Sequence, residues 1–323
     1  MPDAASKRRS LWTWIFAGAL AAVLLFLSLR GIDWPRVWRT VSGAQWQYLA
    51  AGAAISVGTY FLRSLRWRVL LNTEGHLGVG TVFWATMAGY LGNNFLPARG
   101  GELVRSLLIS GRSSLSKTFV LTTALTERMM DAVTLGLCGS VILLRVNPKP
   151  WWMGQLSRAT AVAAIVGLFL ILMAPYAERP IISLARRMPA PPSLRHRIAS
   201  YTAQVLLGLR VLHHLGRLLN FLLLTALIWV GDSLSVMTSA HGFGLGVSFP
   251  VALLLLTGLG LGSSVPSMPG YVGIYQFVAV TVLPAFGVDR SAALGFMIVA
   301  QAIGYLVVMV LGLIGLVRVR AYQ

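Results

Sequence analysis

The chain has 323 residues, 56% of them hydrophobic and only 11% charged, with a mean hydropathy of +0.74. A soluble domain carries about 25% charged residues, so these values exclude a soluble globular protein and indicate a polytopic membrane protein. The 27 Lys and Arg against 9 Asp and Glu give a formal charge of +18; the arginines fall between long apolar runs, so they read as topology determinants that keep loops cytoplasmic and not as a nucleic-acid footprint.

Lys7, Arg8 and Arg9 precede an uncharged run over 10–29. The run is long enough to span a bilayer and lacks a small-residue cleavage pattern, so it reads as a retained first helix with its N-terminus in the cytoplasm. Residues 1–45 then hold this span and an outer loop, and a second span follows at 45–62. The run at 77–98 poses a choice. A full crossing would leave Arg99, Arg105, Arg112 and Lys117 outside, against the positive-inside rule. A helix that enters, breaks at NNFLPARGGELVR (93–105) and returns keeps them cytoplasmic. Pro97 with Gly100 and Gly101 then form the tip of a re-entrant hairpin over 77–117, and broken backbone at membrane depth is tolerated only where protein or a watery cavity surrounds it.

Spans at 118–144 and 159–177 come next, followed by a basic stretch at 178–217 with a proline cluster at 189–192. This stretch is either a loop held inside by its charge or an amphipathic helix on anionic headgroups. The second half, 218–317, opens with a span and contains a second break, SSVPSMPGYVGIYQ (263–276), inside a hairpin at 250–287; a last span runs over 291–317. The expected fold is a single all-α domain over 1–323 with about six full spans, two re-entrant helical hairpins and both termini cytoplasmic. That arrangement puts 19 of the 27 Lys and Arg inside and 7 outside, with Arg128 in a helix. The halves 46–145 and 218–317 each read span, broken hairpin, span, and enter from opposite sides, an inverted repeat of the kind that places a transport site at the midplane.

Arg99, Glu102 and Arg105 follow the first break. Glu102 and Arg105 share a helical face, Gly100 and Gly101 allow backbone N–H groups to approach a ligand, and a helix N-terminus with arginines suits a phosphate. Asn93 and Asn94 stand on the entering helix. These residues form either an anion site or a salt-bridged helix start. Glu127, Arg128 and Asp131 lie in the next span, where two carboxylates are costly unless paired; Arg63, Arg66, Arg68 and the first hairpin's arginines are the candidate partners. Their role is either support for the hairpin or direct work on a ligand or proton. Asp232 is either a coupling site or a hydrogen-bonded helix partner. Pro266, Pro269, Gly270, Tyr275 and Gln276 define the second hairpin, which His241 could also line. Tyr271, Tyr275 and Trp229 suit interfacial or packing roles. The single cysteine, Cys138, excludes an intrachain disulfide. No catalytic triad, nucleotide loop or metal spacing is present in the sequence, so no cofactor, no metal and no enzymatic activity are expected.

The segments RSLRW (63–67), GYLGNNFLPARGGELVR (89–105), TERMMD (126–131) and PSMPGYVGIYQ (266–276) resemble the transmembrane, flippase-like domain of the lysylphosphatidylglycerol synthase/flippase family. The resemblance covers nearly the whole chain. In two-domain members this part precedes a soluble aminoacyl-transferase domain; with the chain ending at Gln323, the resemblance implies a standalone lipid transporter. Many members carry an acid in the second Pro/Gly motif where this chain has Gln276, which argues against a cationic lipid, while the surplus of arginine suits a phosphate-bearing one. The expected function is therefore a flippase for a phospholipid or polyprenyl-phosphate-type lipid in a bacterial inner membrane. A second copy of the chain is a further candidate partner, and a membrane-embedded transferase or a scaffold for lipid or glycan synthesis are the alternatives.

Overall fold

The computed structural model describes residues 4–96, 100–145, 151–173, 176, 183, 214–264 and 268–320, and every regular element among them is helical. Helix α1 (Ala4–Leu29) meets a short α2 (Trp34–Ser42) at 89°. Pro35 early in α2 and the Asp33 carboxylate, which accepts from Arg36 N at 3.2 Å, start this helix in what the sequence suggested was a plain outer loop. Next come α3 (Trp46–Leu71), α4 (Val79–Phe95), α5 (Gly101–Ser110), α6 (Lys117–Arg145) and α7 (Trp151–Met173). The second half holds α8 (Leu215–His241), α9 (Phe249–Gly262), a 3-10 turn at Pro269–Tyr271, α10 (Ile274–Val282), a second 3-10 turn at Leu283–Phe286, and α11 (Arg290–Arg320). The proline cluster and nearly all of the basic stretch at 178–217 lie outside the described residues.

Among the described residues, Leu215–His241, Pro269–Phe286 and Arg290–Arg318 are long and apolar enough to cross a membrane, and the bent α1–α2 pair makes a fourth if counted as one span. Helices α3 and α6 are as long but carry ionisable residues in their interiors. Helix α3 runs two turns past the expected end at residue 62, so Arg63, Arg66 and Arg68 lie on the helix and not beyond it. Carboxylates on α6 and α8 make this burial tolerable.

Small residues set how the helices meet. A Cβ on Gly101 would collide with the carbonyl oxygen of Gly89, and one on Gly92 would lie 2.9 Å from the Gly101 Cα. Only glycine permits that approach, and the order of contacts makes α4 and α5 an antiparallel hairpin. Helices α9 and α10 form another, with Gly258 against Val278 and Gly262 against Ile274. The long helices α3 and α8 also run antiparallel: Gln45 N donates to Gly242 O at 2.8 Å at one end, and Ser56 and Ser235 hydroxyls meet at 2.8 Å further along. Helix α4 packs on α11 and α9 packs on α6. The apolar residues gather into two main clusters. One is centred on Trp67, Leu70, Val82, Ile109 and Val120 in α3–α6, the other on Leu255, Ala279, Leu283 and Phe296 in α9–α11.

Candidate functional site

Helical spacing builds an ionic cluster. Glu127 and Asp131 are one turn apart on α6, so both face the Arg66 guanidinium arriving from α3. Arg66 Nη2 lies 3.0 Å from Glu127 Oε1 and 2.9 Å from Asp131 Oδ2, and Nη1 lies 2.6 Å from Asp131 Oδ1 and 3.1 Å from the Thr225 hydroxyl of α8. Arg66 is completely buried. Arg105 Nη1 takes the other oxygen of Glu127 at 3.0 Å, and its Nε pairs with Glu102 at 2.5 Å. Arg128 Nε donates to Glu102 at 2.9 Å, and Arg63 pairs with Asp232 on α8. Four guanidiniums thus meet four carboxylates and bind α3, α5, α6 and α8 together. Neutrality is the condition for burying such groups, because an uncompensated ion in a dry interior is far costlier than a paired one. Aromatic faces complete the lining, with Arg105 4.4 Å from the Trp67 ring, Arg63 5.0 Å from Trp229, Arg66 5.1 Å from Phe221 and Arg128 5.7 Å from Tyr90, each a cation–π contact.

One side of this cluster opens into a cavity of about 390 Å³, the size of a small-molecule site. Arg63, Arg128, Asp131 and Asp232 form its charged wall. Asn93 and Asn94 from the first break and Ser263, Ser264, Tyr271 and Tyr275 from the second also line it, so both helix breaks reach the same space. Arg128 is the most exposed guanidinium of the cluster, with 24% of its side chain accessible against 11% for Arg63 and about 1% or less for Arg66 and Arg105. Its Nε is committed to Glu102, whereas Nη1 stands 3.8 Å from Asp131, too far for a hydrogen bond.

The second break is held by neutral groups. Gln276 Oε1 accepts from Gly273 N at 2.8 Å and its Nε2 donates to Gln301 Oε1 at 2.6 Å; Gln301 Nε2 in turn donates to Gly270 O at 2.8 Å and to the Tyr305 hydroxyl at 2.5 Å. Gly270 and Gly273 have φ of 74° and 89°, which glycine adopts without strain. Gln301→Ala is expected to destabilise the protein by about 1–3 kcal/mol, since it strands the Gln276 amide and the Gly270 carbonyl. Thermal unfolding in detergent checks this, and the loss should be visible as well in faster proteolysis at the second break.

The structure brings Arg63, Arg66, Glu102, Arg105, Glu127, Arg128, Asp131 and Asp232 into one network. It places Asn93 both on the cavity and under the returning helix, where its Oδ1 accepts from Gly101 N at 3.0 Å. Glu102, Arg105, Gly100 and Gly101 stand outside the cavity lining, and Arg105 is enclosed by its partners. Arg68 bonds the Leu77 carbonyl at 2.6 Å and takes no part. His241 packs edge-on against Tyr48, 4.7 Å away. Pro97, Arg99 and Pro266 lie outside the described residues. Sequence reasoning missed Tyr60, Tyr90, Thr225, Gln301 and Tyr305. A polar residue inside an otherwise apolar run was the available signal for Gln301; Tyr60, which lines the cavity, and Tyr90, Thr225 and Tyr305 carried no signal before α3, α4, α8 and α11 were placed.

Comparison with known proteins agrees with the motifs. A family model described as the lysylphosphatidylglycerol synthase TM region matches residues 14–312. A "UPF0104 membrane protein" of Methanothermobacter thermautotrophicus is 24% identical over 308 residues, covering 91% of this chain and 90% of that protein. "Glycosyltransferase AglD" of Haloferax volcanii is 32% identical over 132 residues, which is 40% of this chain and 21% of that protein.

Proposed function

Because the chain belongs to the family of the lysylphosphatidylglycerol synthase TM region, we propose that it is a lipid flippase, moving an anionic or phosphate-bearing lipid between the leaflets of a bacterial inner membrane. The observation that carries this reading is the single cavity lined by both helix breaks and walled by Arg63 and Arg128. Six full spans and two re-entrant hairpins in an inverted repeat, with both termini cytoplasmic, are the accompanying architecture. Its support is the exchange in packing, α4 on α11 and α9 on α6, around the antiparallel pair α3 and α8, as a two-fold axis in the membrane plane requires.

The barrier to lipid movement is desolvation of the headgroup in hydrocarbon. A protein-lined polar cavity lowers it while the tails remain in the bilayer. Arg128 supplies the phosphate contact through its terminal nitrogens, and Arg63 adds charge beside it. Glu102, Glu127 and Asp131 fix where those arginines stand, and Arg105 and Arg66 hold the carboxylates in turn. Phosphate binding at an arginine fork is charge-assisted and geometrically matched.

Arg128→Ala is expected to slow translocation of a fluorescent phosphate-headgroup lipid in proteoliposomes by about 10- to 100-fold, from the loss of charge-assisted hydrogen bonds of about 1.5–3 kcal/mol. Rates equal to the wild type would remove Arg128 from the site, and no protein-dependent translocation at all would reject the flippase reading. The relative named a glycosyltransferase supports a second reading, a membrane-embedded transferase using the same cavity. Product formation by the purified chain from an activated donor would favour it.

A further inference from the structure

The phosphate site leaves one part of the cavity unused. Tyr271 has φ of 59° and is the only non-glycine residue with positive φ among the described residues. A side chain in that left-handed region is strained, and such strain persists where the surroundings over-determine it, commonly at ligand sites. Here the constraint comes from both sides. Gly270 is wedged against Tyr305, and Gly273 against the α1 backbone at Ala21. The result is an aromatic stack: the rings of Tyr271 and Tyr275 lie parallel, 5.3 Å apart with 10° between their planes, and both line the cavity.

Two kinds of donor on the cavity wall are without a hydrogen-bond acceptor. Trp229 Nε1 is buried without a hydrogen-bond partner, and the Arg128 terminal nitrogens are uncommitted to any hydrogen bond. Both acids on the wall are engaged, Asp131 by Arg66 and Asp232 by Arg63. A cationic headgroup therefore meets no uncommitted carboxylate among the described lining residues. An acceptor-rich, neutral ring meets a donor and an aromatic face.

We propose that the transported headgroup is a sugar joined to its lipid through a phosphate, with the sugar ring seated against the Tyr271–Tyr275 stack. The proposal rests on the phosphate-lipid reading above and adds the neutral half of the headgroup. The negative π face attracts the weakly positive C–H face of a pyranose, ring hydroxyls accept from Trp229 Nε1, and the phosphodiester meets Arg128.

The test uses the full chain in nanodiscs of neutral lipid, with binding followed by intrinsic fluorescence and calorimetry. The probes are a short-chain isoprenyl glucosyl phosphodiester, the isoprenyl methyl phosphodiester of equal charge, a short-chain lysyl-phosphatidylglycerol, and glucose 1-phosphate without a tail. The glucosyl diester is expected to bind about tenfold tighter than the methyl diester, a difference of about 1.4 kcal/mol. It should also bind tighter than the lysyl lipid and the tailless sugar phosphate. Tyr271→Gly, which suits the backbone, should erase the sugar increment while leaving methyl-diester affinity within about twofold; Tyr271→Phe should retain it. Equal binding of the two diesters by the wild type would overturn the sugar assignment alone. Preference for the lysyl lipid or for free glucose 1-phosphate would overturn it in favour of those ligands. Binding of none of the phosphate probes would overturn the phosphate-lipid reading together with it.

Discussion

Arg66→Met is expected to lower stability by about 3–5 kcal/mol, the loss associated with removing one partner from a buried ionic cluster. Arg66 supplies four contacts to Glu127 and Asp131 within 3.2 Å and is wholly enclosed. Without it Asp131 keeps only Arg63 and Arg128 at 3.8 Å, and Glu127 keeps only Arg105. Methionine fills much of the space, so the effect isolates charge from cavity formation. Thermal unfolding in a mild detergent measures it. Adding Asp131→Asn to Arg66→Met should recover part of the loss, because three guanidiniums then face three carboxylates and Glu127 keeps its pairing with Arg105. A single-variant loss below about 1 kcal/mol would place the cluster among exposed ion pairs of little weight.

Gly101→Val is expected to abolish the folded protein, or to leave it without the α4/α5 hairpin. A Cβ at residue 101 overlaps the Gly89 carbonyl and lies 2.6 Å from Asn93 Oδ1. The obstacle is backbone, which cannot rotate aside as a side chain can. Ordinary overpacking costs about 1–3 kcal/mol; here the helices must also separate, which breaks the Asn93–Gly101 hydrogen bond and displaces Glu102 from Arg128. Size-exclusion profiles and unfolding temperature of the purified protein report the outcome. Gly80→Val serves as the control, since nothing lies within 4 Å of a Cβ there. Equal behaviour of the two variants would rule out the close approach of α4 and α5 as a requirement.

Part of this arrangement was legible in the sequence because it depends on composition and local order. Broken apolar runs with Pro and Gly pairs marked the interruptions between α4 and α5 and between α9 and α10, since Pro and Gly are the residues that most readily end a helix. The spacing of Glu127 and Asp131 marked a shared face, since helical period is a local property. The Trp34–Ser42 helix was missed, although its proline and the Asp33 cap are visible in the chain, because a short amphipathic segment between spans resembles a loop in composition. The extent of α3 was misjudged for a different reason. Hydropathy takes each arginine as a cost, and it cannot register that carboxylates 61 to 169 residues away cancel it.

The division of labour among the arginines had the same origin. From the sequence, Arg105 beside the glycine pair was the natural ligand contact. In the folded protein it is wrapped by Glu102, Glu127 and Trp67, and Arg128, first read as a supporting residue, reaches the cavity. Membership in a membrane helical family, the interruptions between α4 and α5 and between α9 and α10, and the residue types of the ionic cluster were thus determined by the sequence alone. Which guanidiniums are spent on carboxylates and which remain open to the cavity was decided only by tertiary structure. Burial and pairing depend on which helix faces which, and the antiparallel contact of α3 with α8 and the return of α5 along α4 settle that through contacts far apart in the chain.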